Sequence, residues 1–307
     1  MKRTSVHTGL LAGALVVLLA GLAAAGPHFS PWSPAQKIDD IGVNSSELNT
    51  TSLDGCPIQS PDGLSLYMAS NRPGSVGLDI WVARRASTTG PWGTPENLGA
   101  PVNSPSDDFC PTPIRGGGLL FVSRKVAPGT CGMGDIYLTR FHPVHGWQLP
   151  QHLGCAPDGP NTSLDEQGPS YVDADGRQLL YFSSGPDIFV SERGQDGSFG
   201  PGQPVAELNG AASDVQPNVR KDGREIVFAS NDPDRPGALG GFDVYTSTRD
   251  SIDDPFAPPV NLGGAVNTGA NETRPSFSWD ALTMLFGRAP GPEGMTDIYI
   301  TTRGRES

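Results

Sequence analysis

Five acidic residues each stand three positions ahead of a proline: Asp54 before Pro57, Asp108 before Pro111, Glu166 before Pro169, Asp214 before Pro217 and Glu272 before Pro275. Carboxylates repeated at one register suggest two kinds of chemistry. Gathered around one opening, they make an oxygen-rich ring that suits a hard cation such as calcium. Paired across a groove, about 5 to 10 Å apart, carboxylates are the acid and base of glycoside cleavage. For that second chemistry Asp107 and Asp108, Asp165 and Glu166, and Glu272 are the candidates. Neighbours on a strand point to opposite faces, so Asp107 and Asp108 do not pair with each other. The same repetition is also what a building rule produces, each acid binding backbone N–H groups where its own strand begins.

The other reactive side chains say less. Cys56, Cys110, Cys131 and Cys155 cluster within 100 residues with no Cys-x-x-Cys among them. An even count in an exported chain points to disulfides rather than zinc. Cys131–Cys155 and Cys56–Cys110 are the favoured pairs, although four cysteines allow three connectivities. His142, His145 and His152 fall within a short stretch, but their spacing fits no helical metal signature, and they read as solvated loop residues. There is no Gly-x-Ser-x-Gly for a serine hydrolase.

The elements that position these groups come from a repeat. An acid, two residues, Pro, a tight turn, an apolar strand, a Gly-rich gap and an Asp-Ile-Tyr-like strand recur five times. The second anchors are Asp79-Ile80-Trp81, Asp135-Ile136-Tyr137, Asp187-Ile188-Phe189, Asp243-Val244-Tyr245 and Asp297-Ile298-Tyr299, at intervals of 52 to 56 residues. A period of this length means small units that bury their apolar faces only against one another. The turns Asp62-Gly63, Gly116-Gly117, Asp175-Gly176 and Asp222-Gly223 mark hairpins, with Asp280-Ala281 a weaker fifth. Four short strands per unit make a propeller blade. The fold class is therefore all-β: a single five-bladed β-propeller of four-stranded antiparallel blades. The repeat cores lie near residues 54–85, 108–141, 166–193, 214–249 and 272–303.

The last unit ends without its outer strand. Trp32 to Ile38 resembles Trp92 to Leu98, and each is followed by a Val-Asn-Ser step, Val43-Asn44-Ser45 and Val102-Asn103-Ser104. Residues 32–38 are thus expected to pair with 297–302 and close the ring, removing two sheet edges. Ahead of them, Lys2 and Arg3, an apolar stretch from Leu10 to Leu22 and Ala23-Ala24-Ala25 form a signal peptide over residues 1–25. The propeller is assigned to residues 26–307, exported to the periplasm or beyond the cell, a monomer with no stable membrane span once the signal is removed. Loss of Lys2 and Arg3 takes the net charge from −12 to −14. Such acidity repels phosphate backbones, so nucleic acid is excluded as a partner.

The run from Pro57 to Gly74, with Gly77-Leu78-Asp79-Ile80-Trp81, resembles the WD-like propeller repeat of TolB-type exported bacterial proteins. Pro217 to Tyr245 carries nearly the same pattern, and the resemblance spans about residues 32–303. It implies the propeller fold and says little of function. Rigid blades carrying variable loops are expected to bind a protein or cell-envelope ligand, with no cofactor required, and the repeated acids make calcium in the central channel an option. The binding candidates are Asp54, Asp108, Glu166, Asp214 and Glu272. The alternative is a carbohydrate-active enzyme, a glycoside hydrolase or lyase, using carboxylates at the channel mouth. Exposed aromatics beside the acids would favour the enzyme, and Phe109 and Trp279 are the only candidates near in sequence. The expectation therefore leans to binding rather than catalysis.

Overall fold

A computed structural model describes residues 29–306; the signal segment expected over 1–25 lies outside the described residues. Five antiparallel sheets stand in a ring, one per repeat. Blade one runs Asp54–Gln59, Ser65–Ser70, Asp79–Arg84 and Glu96–Asn97. Blade two runs Asp108–Ile114, Gly118–Ser123, Asp135–His142 and Gln151–His152, with a short extra strand at Gly146–Trp147. Blade three is Glu166–Ala174, Arg177–Ser184, Asp187–Glu192 and Gln203–Pro204. Blade four is Asp214–Val219, Glu225–Ser230, Asp243–Thr248 and Val260–Asn261. Blade five is Asn271–Phe277, Thr283–Ala289 and Asp297–Thr302. The first strand of each blade touches the first strands of both neighbours, so these five line the central channel.

The core lies between blades. Tyr181 and Ile188 of blade three pack with Phe228 and Tyr245 of blade four, and Val227 and Val244 pack with Phe286 and Tyr299 of blade five. No blade buries such residues alone, which is why the ring must close. Closure is made by Gln36–Lys37, antiparallel to the last strand with Gln36 opposite Ile300 and Lys37 opposite Tyr299. The Ser33 and Ile38 N–H groups extend it by donating to the carbonyls of Thr302 and Ile298. The Val-Asn-Ser register needs correction. In four blades an asparagine clamps the N–H and C=O of the residue after the third-strand Asp: Asn103 on Ile80, Asn161 on Ile136, Asn209 on Ile188 and Asn267 on Val244. The fifth clamp is Asn49 on Ile298, not Asn44. Leu48 is buried as Val102 is, whereas Val43 is exposed.

Candidate functional site at the channel mouth

The five repeated acids sit where the inner strands begin, and all five are fully buried. Each accepts the backbone N–H four residues upstream, from Thr50, Ser104, Thr162, Gly210 and Thr268 respectively. Asp54, Asp214 and Glu272 also pair with Arg72, Arg235 and Arg288. Asp54, Asp108, Glu166, Asp214 and Glu272, expected to face a ligand, are thus buried and each tied to its own strand start, while one oxygen each of Asp108, Glu166 and Asp214 has no partner among the described residues. Asp108 and Glu166 have no arginine. Burial raises both above the usual carboxylate range, Glu166 to about 7 despite hydrogen bonds from Thr162 and Ser184. The third-strand aspartates hold loops in a similar way: Asp79 accepts from Asn97, Asp135 from the Cys131 N–H and Asp243 from Asn261.

What reaches the channel is the residue before each anchor proline. The ladder slips at this point in every inner strand, between Gly55 and Ile58, Phe109 and Thr112, Gln167 and Ser170, Val215 and Asn218, and Thr273 and Ser276. A proline inside a sheet belongs at a bulge, and a bulge re-aims its side chain. The five re-aimed residues are Cys56, Cys110, Gly168, Gln216 and Arg274, with φ of 49°, 48°, 57°, 57° and 56°. Four of them are not glycine, so the backbone holds strain where the repeat symmetry is most thoroughly broken. With the following prolines they form the waist of the channel, whose lining includes no carboxylate side chain.

Above the waist a polar network crosses four blades. Arg124 donates from Nη1 to Asp107 at 3.0 Å and from Nη2 to Asp165 at 2.8 Å. Gln167 donates to Asp165 at 2.9 Å, and Gln216 donates to Gln167 at 2.8 Å. The Arg274 N–H donates to the Gln216 side-chain oxygen at 3.1 Å. Asp107 and Asp165 keep 32% and 19% of their side-chain surface exposed, unlike the acids that follow them. Phe109 is fully buried beneath the Arg124 guanidinium and is not a sugar platform. Trp279 belongs to a turn between the first two strands of its blade, at the opposite end of the channel from the acids. Arg124, Gln167, Gln216 and Arg274 were not singled out from the sequence. The available signal was the residue type before each anchor proline, which varies while its surroundings repeat.

The cysteines divide. Cys131 and Cys155 form a disulfide, with Cα atoms 5.7 Å apart. Cys56 and Cys110 are free thiols, so a bond between them is corrected to a contact: their sulphurs lie 2.7 Å apart. Burial pushes both thiols up. For Cys110, the hydrogen bond from Cys56 and the charge of Arg274 prevail and bring it down to about 7, while Cys56 stays well above the usual range. His142 and His145 are exposed and stack at 4.7 Å, apart from His152, which bonds Asp135 at 3.1 Å. Cys131, His152 and Cys155 are mutually close, but the disulfide removes both thiolates as ligands.

No protein-family model and no curated protein sequence matches the chain. Among solved structures it is similar to a GH43 endo-arabinanase from Bacillus licheniformis, with 14% identity over 82% of this chain and 94% of that one and a TM-score of 0.56. An exo-1,5-alpha-L-arabinanase from a bovine ruminal metagenomic library gives 14% identity over 84% and 98%, with a TM-score of 0.53. TolB from Acinetobacter baumannii aligns at 16% identity over 82% of this chain and 55% of that one, with a TM-score of only 0.42. The shared feature is the propeller, and the TolB-type assignment is reduced to that. The leaning against catalysis is corrected as well, since several of the structures that share this fold are glycoside hydrolases. Among the described residues no helix is long and apolar enough to cross a membrane.

Proposed function

We propose that the protein is a carbohydrate-active enzyme, cleaving glycosidic bonds at the channel mouth with Asp107 and Asp165 as its carboxylate pair. The observation that carries this reading is their joint hold on Arg124. One guanidinium bonded to both keeps them within the separation of about 5 to 10 Å that acid–base cleavage of a glycoside uses. They come from adjacent blades, stay open to solvent and break the five-fold pattern. Asp165 accepts from Arg124 and Gln167, which fix its orientation. Asp107 accepts from Arg124 and the Leu78 N–H, and the acid and base roles are left undivided between the two. The likeness to arabinanases supports the reaction class without naming the sugar.

A polymeric substrate agrees with export, as does the Cys131–Cys155 disulfide. The test is release of reducing ends from a panel of arabinans, xylans and uronate-bearing polysaccharides. Asp107→Asn and Asp165→Asn should each lower the rate at least about a hundredfold. Cleavage that survives both changes removes the pair from catalysis. Binding without cleavage by the unaltered protein would reduce the mouth to a ligand-holding site.

A further inference from the structure

On the opposite end of the channel, where the hairpins between first and second strands lie, a cleft of about 630 Å³ opens between blades two and three. Arg115, Arg140, Arg193 and Lys221 line it, against a single carboxylate, Asp173. This is an unusual gathering in a chain of net charge −12. Elsewhere the arginines are commonly ion-paired: Arg84 with Glu96, Arg124 with Asp107 and Asp165, Arg177 with Glu192 and Asp253. None of the four in the cleft is ion-paired with a described residue.

Their placement is built. Trp279, reaching over from blade five, holds the Arg115 guanidinium 4.6 Å and the Lys221 ammonium 5.5 Å from its ring centre. Contact with an indole fixes a cation without using its N–H donors. Arg193 is steadied by neutral acceptors only, the Gly197 carbonyl at 2.7 Å and the Gln178 side-chain oxygen at 3.0 Å. Asp173 accepts from Gln178 at 2.9 Å and makes no ion pair with any of them, so one negative charge faces four positive ones. Four cations from three blades thus converge on one opening with their charge mostly uncompensated, the arrangement that recognises carboxylate groups.

We propose that this cleft is a second binding site, which takes the carboxylate-bearing sugars of an acidic glycan. The proposal rests on the carbohydrate reading above and deepens it: the mouth cleaves, and the hairpin face holds a uronate-rich stretch of the same class of polymer. Tyr171 and Gln178 on the wall supply hydroxyl and amide groups for sugar hydroxyls. The volume lies in the range, about 300 to 1,000 Å³, of sites that hold compact ligands.

The experiment is calorimetric binding to the mature chain of trigalacturonate, triglucuronate, arabinotriose and a short oligoglutamate. The unaltered protein, Asp165→Asn and the exposed double change Arg115→Gln/Arg140→Gln are compared, with Lys221→Gln as a single change in case the double one fails to fold. A uronate trimer should bind the unaltered protein and Asp165→Asn alike, and the double variant about tenfold or more weakly. Arabinotriose should not distinguish the cleft variants. The inference is overturned if neither uronate binds, if the cleft variants bind as well as the unaltered protein, or if oligoglutamate binds as tightly, which would make the cleft a peptide site. Absence of cleavage of any polymer sinks the proposed mouth chemistry and leaves this binding result standing.

Discussion

The sulphurs of Cys56 and Cys110 face each other at the waist of the channel, 2.7 Å apart, on the bulged strands of adjacent blades. Both side chains are delivered by a left-handed backbone, φ 49° and 48°, that no glycine relieves. The pair is set to close on oxidation with little movement of either blade. In denatured protein, thiol titration should find two free thiols before treatment with diamide and none after it. Each disulfide formed passes two electrons and two protons to one diamide. Peptide mapping should place the new bond between Cys56 and Cys110; two thiols surviving excess diamide would defeat this expectation.

The hydrogen bond between the two thiols separates them in acidity, raising Cys56 and lowering Cys110, while the positive charge of Arg274 lowers both from close by. Arg274→Gln removes that charge while keeping a polar side chain at the waist. Alkylation of Cys110 by iodoacetamide, followed by mass spectrometry, should rise through a midpoint near pH 7 in the unaltered protein and through a higher one in the variant. Coincident midpoints would mean that the Cys56 hydrogen bond alone sets the acidity.

Glu166 gives the fold a pH dependence with a definite sign. Its carboxyl is raised from 4.5 to about 7, chiefly by burial, so between those values the folded chain keeps a proton that the unfolded chain has lost. Stability from this group is full below about pH 4.5, declines as pH rises to about 7, and is flat above that. The contribution is on the order of 1 to 3 kcal/mol. Glu166→Gln keeps an acceptor oxygen for Thr162 and Ser184 and cannot ionise. Its melting temperature at pH 8 should equal or exceed that of the unaltered protein, and its decline between pH 5 and 7 should be shallower. A variant that loses stability at pH 8 but not at pH 5 would show that the carboxylate form matters.

The architecture was legible because it depends on local chemistry repeated five times: Asp-Gly turns, a strand-breaking proline and alternating strands each carry their meaning in a few residues. The closing strand was legible for the same reason, since Trp32 to Ile38 copies Trp92 to Leu98. Its extension was misread because nine residues, six more than between Leu98 and Val102, intervene before Leu48-Asn49 take the places of Val102-Asn103, and a chance Val43-Asn44 lies in between. The site was far less legible. The repeated acids drew attention through their regularity, yet regularity marks the scaffold: all five are buried in strand starts. The groups that meet the channel are the dissimilar ones, and their convergence depends on a bulge that turns Cys, Cys, Gly, Gln and Arg inward. The hairpin-face cations were invisible as a set, since Arg115, Arg140, Arg193 and Lys221 meet only after three blades are placed side by side.

Closure is fixed by more than the two-residue ladder of Gln36–Lys37. Arg303, just past the last strand, sends both terminal nitrogens to Glu225 at 2.7 Å and lies 3.8 Å over the ring of Phe29 and 4.3 Å over that of Trp32. It therefore fastens the incoming N-terminal segment to blade four while ending blade five. Arg303 and Glu225 are both nearly inaccessible, with 6% and 5% of their side chains exposed. Removing one partner of a buried pair leaves an uncompensated charge, though Arg220 still neutralises part of Glu225. Arg303→Ala should thus cost about 2 to 3 kcal/mol and lower the melting temperature by about 5 to 10 °C. Deleting residues 26–41 takes away the strand as well and should lower both melting temperature and solubility further, because two sheet edges open. Thermal unfolding of both proteins separates the latch from the strand. A deletion that melts with the full mature chain would mean that the ring holds without its N-terminal closure.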